Sequence, residues 1–187
     1  PEPLPERPER GNREAYARAH GQARIQLRGR REERLVYELL PVAAERGLAR
    51  LPEPDAGDLF FDIESDPFVD GGGLEYLLGV ACVGAGGALE YCRFWGLDRA
   101  AERRAFEDFM DFVLARWERH PGIHLYHFSP YEPAAVKRLM GRHGTREDAV
   151  DRLLRGGRVG ALLAVARQGR RASVERYSRK ALERGGP

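Results

Sequence analysis

The sequence predicts an α/β fold, a mixed β-sheet with helices packed on its faces. Between residues 58 and 95, three apolar segments of strand length follow one another and are joined by short turns that contain glycine. Connections this short favour antiparallel neighbours. From residue 98 onwards, helical and strand-like segments alternate, which is typical of a mixed sheet. We therefore expect an α/β domain over residues 51–187, preceded by a polar segment rich in Arg, Glu and Pro over residues 1–50.

The polar N-terminal segment comes first in the chain, and the strands follow it. We interpret residues 1–34 as peripheral or mobile, with one helix from about residue 12 to 26, and residues 35–40 as a short strand-like stretch. The later strands are bounded by residues such as Gly and Pro that interrupt regular structure. They are predicted at 58–64, 74–83, 89–95, 123–128 and 159–165, and the last of these also fits a short helix.

Helices are predicted between and after the later strands. Asp98 is a suitable N-cap for the longest helix, which runs to about residue 120 with one apolar stripe. A second helix opens at Pro130 or Pro133. A third begins at Thr145, where the sequence Thr-Arg-Glu-Asp resembles a capping box. A short helix is expected to start near residue 178.

Composition limits the class of protein. The 187 residues, of which 42% are hydrophobic, are enough for a domain with its own core. No apolar run approaches the roughly 18 residues of a membrane span, and the N-terminus has no signal-peptide pattern. Cys82 and Cys92 both fall in predicted strands, so we expect free thiols. These observations predict a cytoplasmic protein that does not bind membranes.

Positive charge is concentrated near the C-terminus, although the net charge of the chain is only +2. From Arg152 to the end there are ten basic residues and two acids. Such a region can neutralise a phosphate backbone, and Arg170 and Arg171 are the candidate contacts to nucleic acid. The alternative is a solvated, arginine-rich helix surface. Both interpretations remain open at this point.

Two carboxylates lie on the first predicted strand, in the sequence Asp62-Ile63-Glu64. Side chains at positions i and i+2 of a strand share one face, about 6–7 Å apart. Two carboxylates at this separation repel each other unless a cation lies between them. Mg²⁺ is commonly bound by one or two carboxylates together with phosphate oxygens. The pattern therefore indicates a site for Mg²⁺ or Mn²⁺, and the alternative is an edge strand with a solvated polar face.

A third acid, Glu132, follows the predicted strand at 123–128 and enters the next helix. Ligands of α/β sheets bind at the carboxyl ends of strands. If this strand lies beside the first one, Glu132 can reach the same cation as Asp62 and Glu64. The alternative role of Glu132 is that of a first-turn acid that complements the helix dipole.

Several blocks of the sequence resemble the ribonuclease H-like domain of bacterial RecB-like nucleases, which is similar to the DnaQ-like (DEDD) 3′–5′ exonucleases. The resemblance extends from about residue 22 to residue 183. It is carried by Gly57-Asp-Leu-Phe-Phe-Asp-Ile-Glu-Ser-Asp-Pro-Phe68, Gly73-Leu-Glu-Tyr-Leu-Leu-Gly79, Tyr126-His-Phe-Ser-Pro-Tyr-Glu-Pro133, Lys137-Arg-Leu-Met-Gly-Arg-His-Gly-Thr-Arg-Glu147, Arg167-Gln-Gly169 and Ser173-Val-Glu-Arg-Tyr-Ser178.

The resemblance implies a ribonuclease H-like fold whose central first strand carries the metal ligands. Asp62 and Glu64 would form the first exonuclease motif, and Glu132 stands where the second motif usually has Asp. The implied activity is two-metal hydrolysis of phosphodiesters with Mg²⁺ or Mn²⁺, and single-stranded DNA is the expected substrate. In longer relatives a RecB-like nuclease region precedes this domain and a superfamily 1 helicase region follows it, which implies a role in DNA repair.

The chain departs from this family pattern in two places. The third motif, Tyr-x-x-x-Asp or His-x-x-x-x-Asp, is expected after Tyr177 and is not found there. His143 and Asp148 have the second spacing, but they follow Glu132 too closely to belong to the final helix, and we interpret this spacing as coincidence. Relatives also tend to have Asp-Leu-Tyr where this chain has Ala161-Leu162-Leu163. We therefore expect a fragment or a degenerate copy that is weakly active or inactive. The alternatives are a non-catalytic nucleic-acid-binding or scaffolding domain of a DNA-processing helicase–nuclease, or a phosphate-processing enzyme of the same fold.

Overall fold

The computed structural model describes residues 12–183, and these form two compact units. The larger unit comprises Pro52–Leu162. The smaller unit contains the described residues up to Leu51 and those from Leu163 onwards. The assignment of residues 51–187 to one domain stays a prediction.

A five-stranded mixed sheet forms the centre of the larger unit, with the strand order β4-β3-β2-β5-β6. The neighbours β4, β3 and β2 are antiparallel, whereas β2, β5 and β6 are parallel. The predicted α/β fold class and the central position of the first strand are therefore confirmed. The strands are β2 (Leu59–Asp66), β3 (Leu74–Val83), β4 (Leu89–Trp95), β5 (Leu125–His127) and β6 (Val159–Ala161).

Three helices accompany this sheet: α2 (Arg99–Arg119), α3 (Tyr131–His143) and α4 (Glu147–Arg155). The apolar stripe of α2 lies on one face of the sheet, where the rings of Phe109 and Phe61 are 5.7 Å apart. Alternate residues of β2 face this stripe and are almost fully buried. Burial of these aromatic side chains, each worth a few kcal/mol, fixes which face of β2 is internal.

Asp98 caps α2 as predicted, because its side chain accepts a 2.7 Å hydrogen bond from the backbone N–H of Ala101. Replacement of an N-cap Asp by Ala typically costs about 1 kcal/mol. We expect Asp98→Ala to lower the free energy of unfolding by this amount in a urea titration. Asp108→Ala, at an exposed position inside the same helix, should change it by less than about 0.5 kcal/mol. Equal effects of the two substitutions would contradict the capping role.

Two helix boundaries differ from the prediction. Thr145 does not cap α4, since Arg146 is the N-cap residue and the Thr145 hydroxyl donates instead to Glu107, at 2.8 Å. The last predicted strand ends early at Ala161, and Leu162 begins α5 (Leu162–Gly169). The apolar run at 159–165 thus contains a short strand followed by a helix, and periodicity alone does not separate the two.

The smaller unit joins the two ends of the described chain. Its helix α1 (Arg13–Arg31) is longer than predicted, and β1 (Tyr37–Leu39) pairs antiparallel with β7 (Arg170–Ala172). The side chain of Gln22 donates to the carbonyl of Ala172 at 2.8 Å. The helix predicted at about 12–26 is therefore present and packs on β7, while the interpretation of residues 1–34 as peripheral or mobile stays a prediction. The unit also contains a 3₁₀ turn (Gly47–Arg50) and α6 (Arg179–Glu183).

The cysteines and the helices agree with two further expectations. Cys82 is buried, Cys92 is half-buried, and both are free thiols. Within residues 12–183, none of the helices combines the length and the apolar character that crossing a membrane requires.

Candidate active site

The two faces of β2 differ in the way the sequence predicts. Leu59, Phe61 and Ile63 are at most 5% exposed and face the helices. Asp62 is half-buried and Glu64 is exposed, and both lie on the opposite face. The central strand therefore presents two acids side by side on the face of the sheet opposite to the one that α2 covers.

An aromatic pair borders the acids on the side of β5. The parallel register places Phe60 opposite Tyr126, and their rings are stacked with centroids 5.1 Å apart. Because directly paired residues share a face, Tyr126 belongs to the face of Asp62 and Glu64. The next residue, His127, belongs to the helix-covered face, where its ring lies 6.0 Å from that of Phe61.

Glu132 lies in the first turn of α3 and is only 3% exposed. Its Oε2 accepts hydrogen bonds from the backbone N–H and the hydroxyl of Ser129, at 3.2 and 3.0 Å. The Nδ1 atom of His127 lies 3.5 Å from the same oxygen. The contacts of this carboxylate are therefore to residues at the end of β5 and the start of α3.

The charge state of Glu132 follows from these contacts. Burial by itself raises the pKa of the carboxyl, but hydrogen bonds from His127, from its own backbone N–H and from Ser129 outweigh burial. The pKa of Glu132 consequently lies below its ordinary value, and the side chain is an anion at neutral pH. Glu132 reaches back to the backbone N–H of Ser129, as the acid of a capping box does, although Pro130 is the N-cap residue of α3. The Ser129-x-x-Glu132 spacing is the signal for this contact in the sequence.

The structure brings Asp62 and Glu64 onto one face of β2, and it gives Glu132 partners of its own. Among residues 12–183, no group of three or more His, Cys, Asp or Glu side chains is arranged to hold a metal ion. The assignment of Glu132 as a third ligand stays a prediction. The described geometry also supports its alternative role at the start of α3.

A buried network of ion pairs lies next to the C-terminal end of β2, and no pattern in the sequence predicted it. Glu75 and Glu102 are 3% and 0% exposed. The Nη1 atom of Arg142 lies 3.0 Å from Glu75 and 2.9 Å from Glu102. Arg138 donates its Nε–H to Glu75 at 2.9 Å, and His143 lies 2.9 Å from Glu102. Buried charges are tolerated when they are paired in this way.

This network reaches the strand that carries the two acids. The Tyr131 hydroxyl donates to the hydroxyl of Ser65, directly after Glu64, at 2.6 Å, and Arg138 donates to the Tyr131 hydroxyl at 3.3 Å. A change in register between β2 and β3 occurs at the same place, since Glu64 pairs with Leu77 but Ser65 pairs with Glu75. The end of β2 is therefore held by α3.

The two candidate arginines lie on β7, in the smaller unit. Arg171 is half-buried and forms an ion pair with Glu38 at 2.7 Å. Arg170 is also half-buried, and within the described residues its Nε atom has no hydrogen-bond partner. Contact of this pair with nucleic acid stays a prediction. Arg171 already has an acidic partner inside the protein.

Comparison with known proteins gives one match. A family model described as RNase H superfamily matches residues 59–185, which is more than half of the chain and includes β2 through β7. No curated protein and no solved structure matches the chain. The matched region includes Asp62, Glu64 and Glu132.

Proposed function

Because the chain belongs to the ribonuclease H superfamily, we propose that it is a metal-dependent nuclease domain that hydrolyses the phosphodiester bonds of nucleic acid. The observation that carries this proposal is the pair Asp62 and Glu64, side by side on one face of the central strand. The finer proposal is 3′–5′ exonuclease activity on single-stranded DNA. The resemblance of the sequence blocks to the DnaQ-like exonucleases supports it.

The donor set fits a hard divalent cation. Carboxylate oxygens are the ligands that Mg²⁺ and Mn²⁺ prefer, and Asp62 and Glu64 would hold the ion together with phosphate oxygens of the substrate. Glu132, already an anion, would be the third ligand. When bound, such ions lower the pKa of a coordinated water and stabilise negative charge on the attacking and leaving oxygens. The role of the chain is to orient the carboxylates.

The wider context is part of the same proposal. We infer that the domain acts in the cytoplasm within a DNA-repair protein, beside RecB-like nuclease and superfamily 1 helicase regions, as in the relatives that it resembles. Arg170 would then contact the phosphate backbone, and Arg171 would do so in competition with Glu38. These contacts would be independent of base sequence.

A cleavage assay tests the proposed function. We expect slow shortening of a 5′-labelled single-stranded DNA from its 3′ end, only when Mn²⁺ or Mg²⁺ is present. Asp62→Asn should abolish cleavage, because it removes the negative charge that binds the cation. Glu90→Gln is the matched control, since Glu90 is an exposed acid on another strand of the sheet, and it should cleave as the wild type does. Cleavage that survives Asp62→Asn would refute the site.

A second candidate function is supported by two observations. Glu132 already has hydrogen-bond partners, and the described part of the chain contains no cluster of three metal-ligating side chains. These facts favour a non-catalytic nucleic-acid-binding or scaffolding domain. The same assay separates the two: DNA that is bound but stays intact at high protein concentration with Mn²⁺ would establish the second function.

A further inference from the structure

The face of the sheet that carries Asp62 and Glu64 continues across β3 to β4, the edge strand. Residues directly opposite each other in antiparallel strands point to the same face, and the register therefore assigns alternate residues of β4 to this surface. Three rows cross the sheet on this face: Tyr91–Ala81–Phe60, Arg93–Gly79–Asp62 and Trp95–Leu77–Glu64.

The ring of Tyr91 lies over the backbone of β3. A Cβ atom added to Gly79 would clash with the Tyr91 hydroxyl and lie 2.8 Å from Cζ of the ring. Only the absence of a side chain at position 79 allows this approach. The phenol therefore extends from the edge strand toward the row that contains Asp62, and Tyr91 as a whole is still 54% exposed.

Two more aromatic side chains on this face are half-exposed. Trp95 is 53% exposed and Phe60 is 49% exposed, the latter stacked on the buried ring of Tyr126. Arg93, between Tyr91 and Trp95 on β4, is exposed as well. We call Phe60, Tyr91, Arg93 and Trp95 the aromatic platform. Large exposed apolar groups clustered on one surface indicate a binding site.

We propose that the aromatic platform binds the bases of single-stranded nucleic acid and leads the strand to Asp62 and Glu64. Flat aromatic rings exposed on a β-sheet stack with bases irrespective of sequence, and Arg93 supplies a positive charge for a phosphate. This inference rests on the proposed function and adds to it the surface that receives the substrate.

Charge favours nucleic acid over a protein partner on this surface. The three platform residues on β4 lie two strand spacings, about 9–10 Å, from the two carboxylates, and Phe60 lies on the same strand as the carboxylates. An apolar protein surface would have to desolvate these acids without compensation. A nucleic-acid strand would not, because cations held between its phosphates and the carboxylates neutralise both. The face offers aromatic and cationic groups at one side and a cation-binding pair at the other, which suits a polyanion with flat bases.

Tryptophan fluorescence provides the test. The chain has two tryptophans, so Trp117→Phe leaves Trp95 as the single reporter. Titration with a short oligothymidylate in Ca²⁺ instead of Mg²⁺ or Mn²⁺, which keeps a cation available to the carboxylates and the phosphates, should quench this emission to saturation. Tyr91→Ala should weaken binding about ten-fold, the effect of removing one stacking partner. Tyr37→Ala is the matched control, because Tyr37 is a similarly exposed strand residue (48%) in the smaller unit, and should leave affinity unchanged.

Anisotropy of a labelled oligothymidylate measures the same affinities in otherwise wild-type protein, so the test does not depend on the folding of Trp117→Phe. Equal affinities of Tyr91→Ala and Tyr37→Ala would overturn the platform. A change in oligomeric state of Tyr91→Ala, with unaltered DNA binding, would overturn it in favour of an interface between copies. Asp62→Asn should abolish cleavage yet retain quenching of Trp95. Quenching without any cleavage by the wild type would support the aromatic platform and refute the nuclease function. Cleavage without quenching would support the nuclease function and refute the aromatic platform.

Discussion

Replacing Glu102 by glutamine is expected to lower the free energy of unfolding by about 3–5 kcal/mol, the usual cost of removing one partner from a buried ion pair. The carboxylate is fully buried and contacts Arg99, Arg142 and His143 at 2.7–2.9 Å. It also accepts the backbone N–H of Glu75 at 2.8 Å. Without its charge, Arg142 would be left with Glu75 as its remaining buried carboxylate.

Denaturant titration of the variant and the wild type measures this effect. Glu107→Gln is the control, because Glu107 lies on the same helix and its partners are the exposed Arg103 and the hydroxyl of Thr145. An exposed ion pair is worth less than about 1 kcal/mol, and a hydrogen bond of this kind about 1 kcal/mol. If Glu102→Gln cost no more than Glu107→Gln, the network would be a consequence of packing rather than a source of stability.

The pH dependence of stability follows from the same residue. Burial raises the pKa of Glu102, but hydrogen bonds from the Glu75 backbone, Arg99 and His143 outweigh burial and place the pKa below its ordinary value. A carboxyl whose pKa is lower in the folded state contributes stability above its unfolded pKa, about 4.3, and loses it as pH falls through the folded value. The stability difference between wild type and Glu102→Gln should therefore be full at neutral pH and shrink on acidification below about pH 4.3.

Substitution of Asp62 or Glu64 is expected to weaken Mn²⁺ binding by about 100-fold or more, since even groups that only support a metal ligand contribute about 10- to 100-fold to affinity. Isothermal titration calorimetry, or the electron paramagnetic resonance signal of free Mn²⁺, measures binding without requiring cleavage. Glu90→Gln should bind as the wild type does. Unchanged affinity in Asp62→Asn would show that the pair is merely a solvated face of the strand.

Glu132→Gln separates the two roles of the third acid. As a metal ligand, Glu132 is expected to contribute to Mn²⁺ affinity as Asp62 does. As a helix-capping acid it would leave Mn²⁺ affinity unchanged, and its substitution would cost only stability, about 1 kcal/mol. Our proposal requires the loss of affinity. Glutamine keeps the shape of the side chain, so this comparison tests the charge.

Much of the sheet could be predicted because the glycine turns and the alternation of apolar residues indicate the same strands. The bounds of β3 and β4 match the prediction to the residue, since glycine turns delimit both strands. The alternation of β2 likewise identified its buried face. The C-terminal end of helix α1 was harder to predict, because the buried positions of this helix include Gly21 and Gly29 as well as Ile25. Small residues such as glycine do not produce an apolar periodicity in the sequence. What packs against Gly29 is Ser173, far along the chain.

The candidate site was predicted in part for a similar reason. Asp62 and Glu64 share a face by strand geometry alone, which requires no knowledge of distant residues. The partners of Glu132 could have been inferred from the Ser129-x-x-Glu132 spacing. The aromatic platform could not, because its rows depend on which residues of β3 and β4 lie opposite β2.

The irregular register after Glu64 decides which face of the sheet the first residues of β3 occupy. Strict alternation from Gly79 and Leu77 would put Glu75 beside the two acids, but the extra residue Tyr76 turns it to Arg138 and Arg142 instead. The bulge at Tyr76 therefore decides where this charge lies. In evolutionary terms, a homologue that keeps the length of this segment but pairs it without the bulge would carry a third acid on the open face, and we expect it to lack the paired arginines one turn apart on α3.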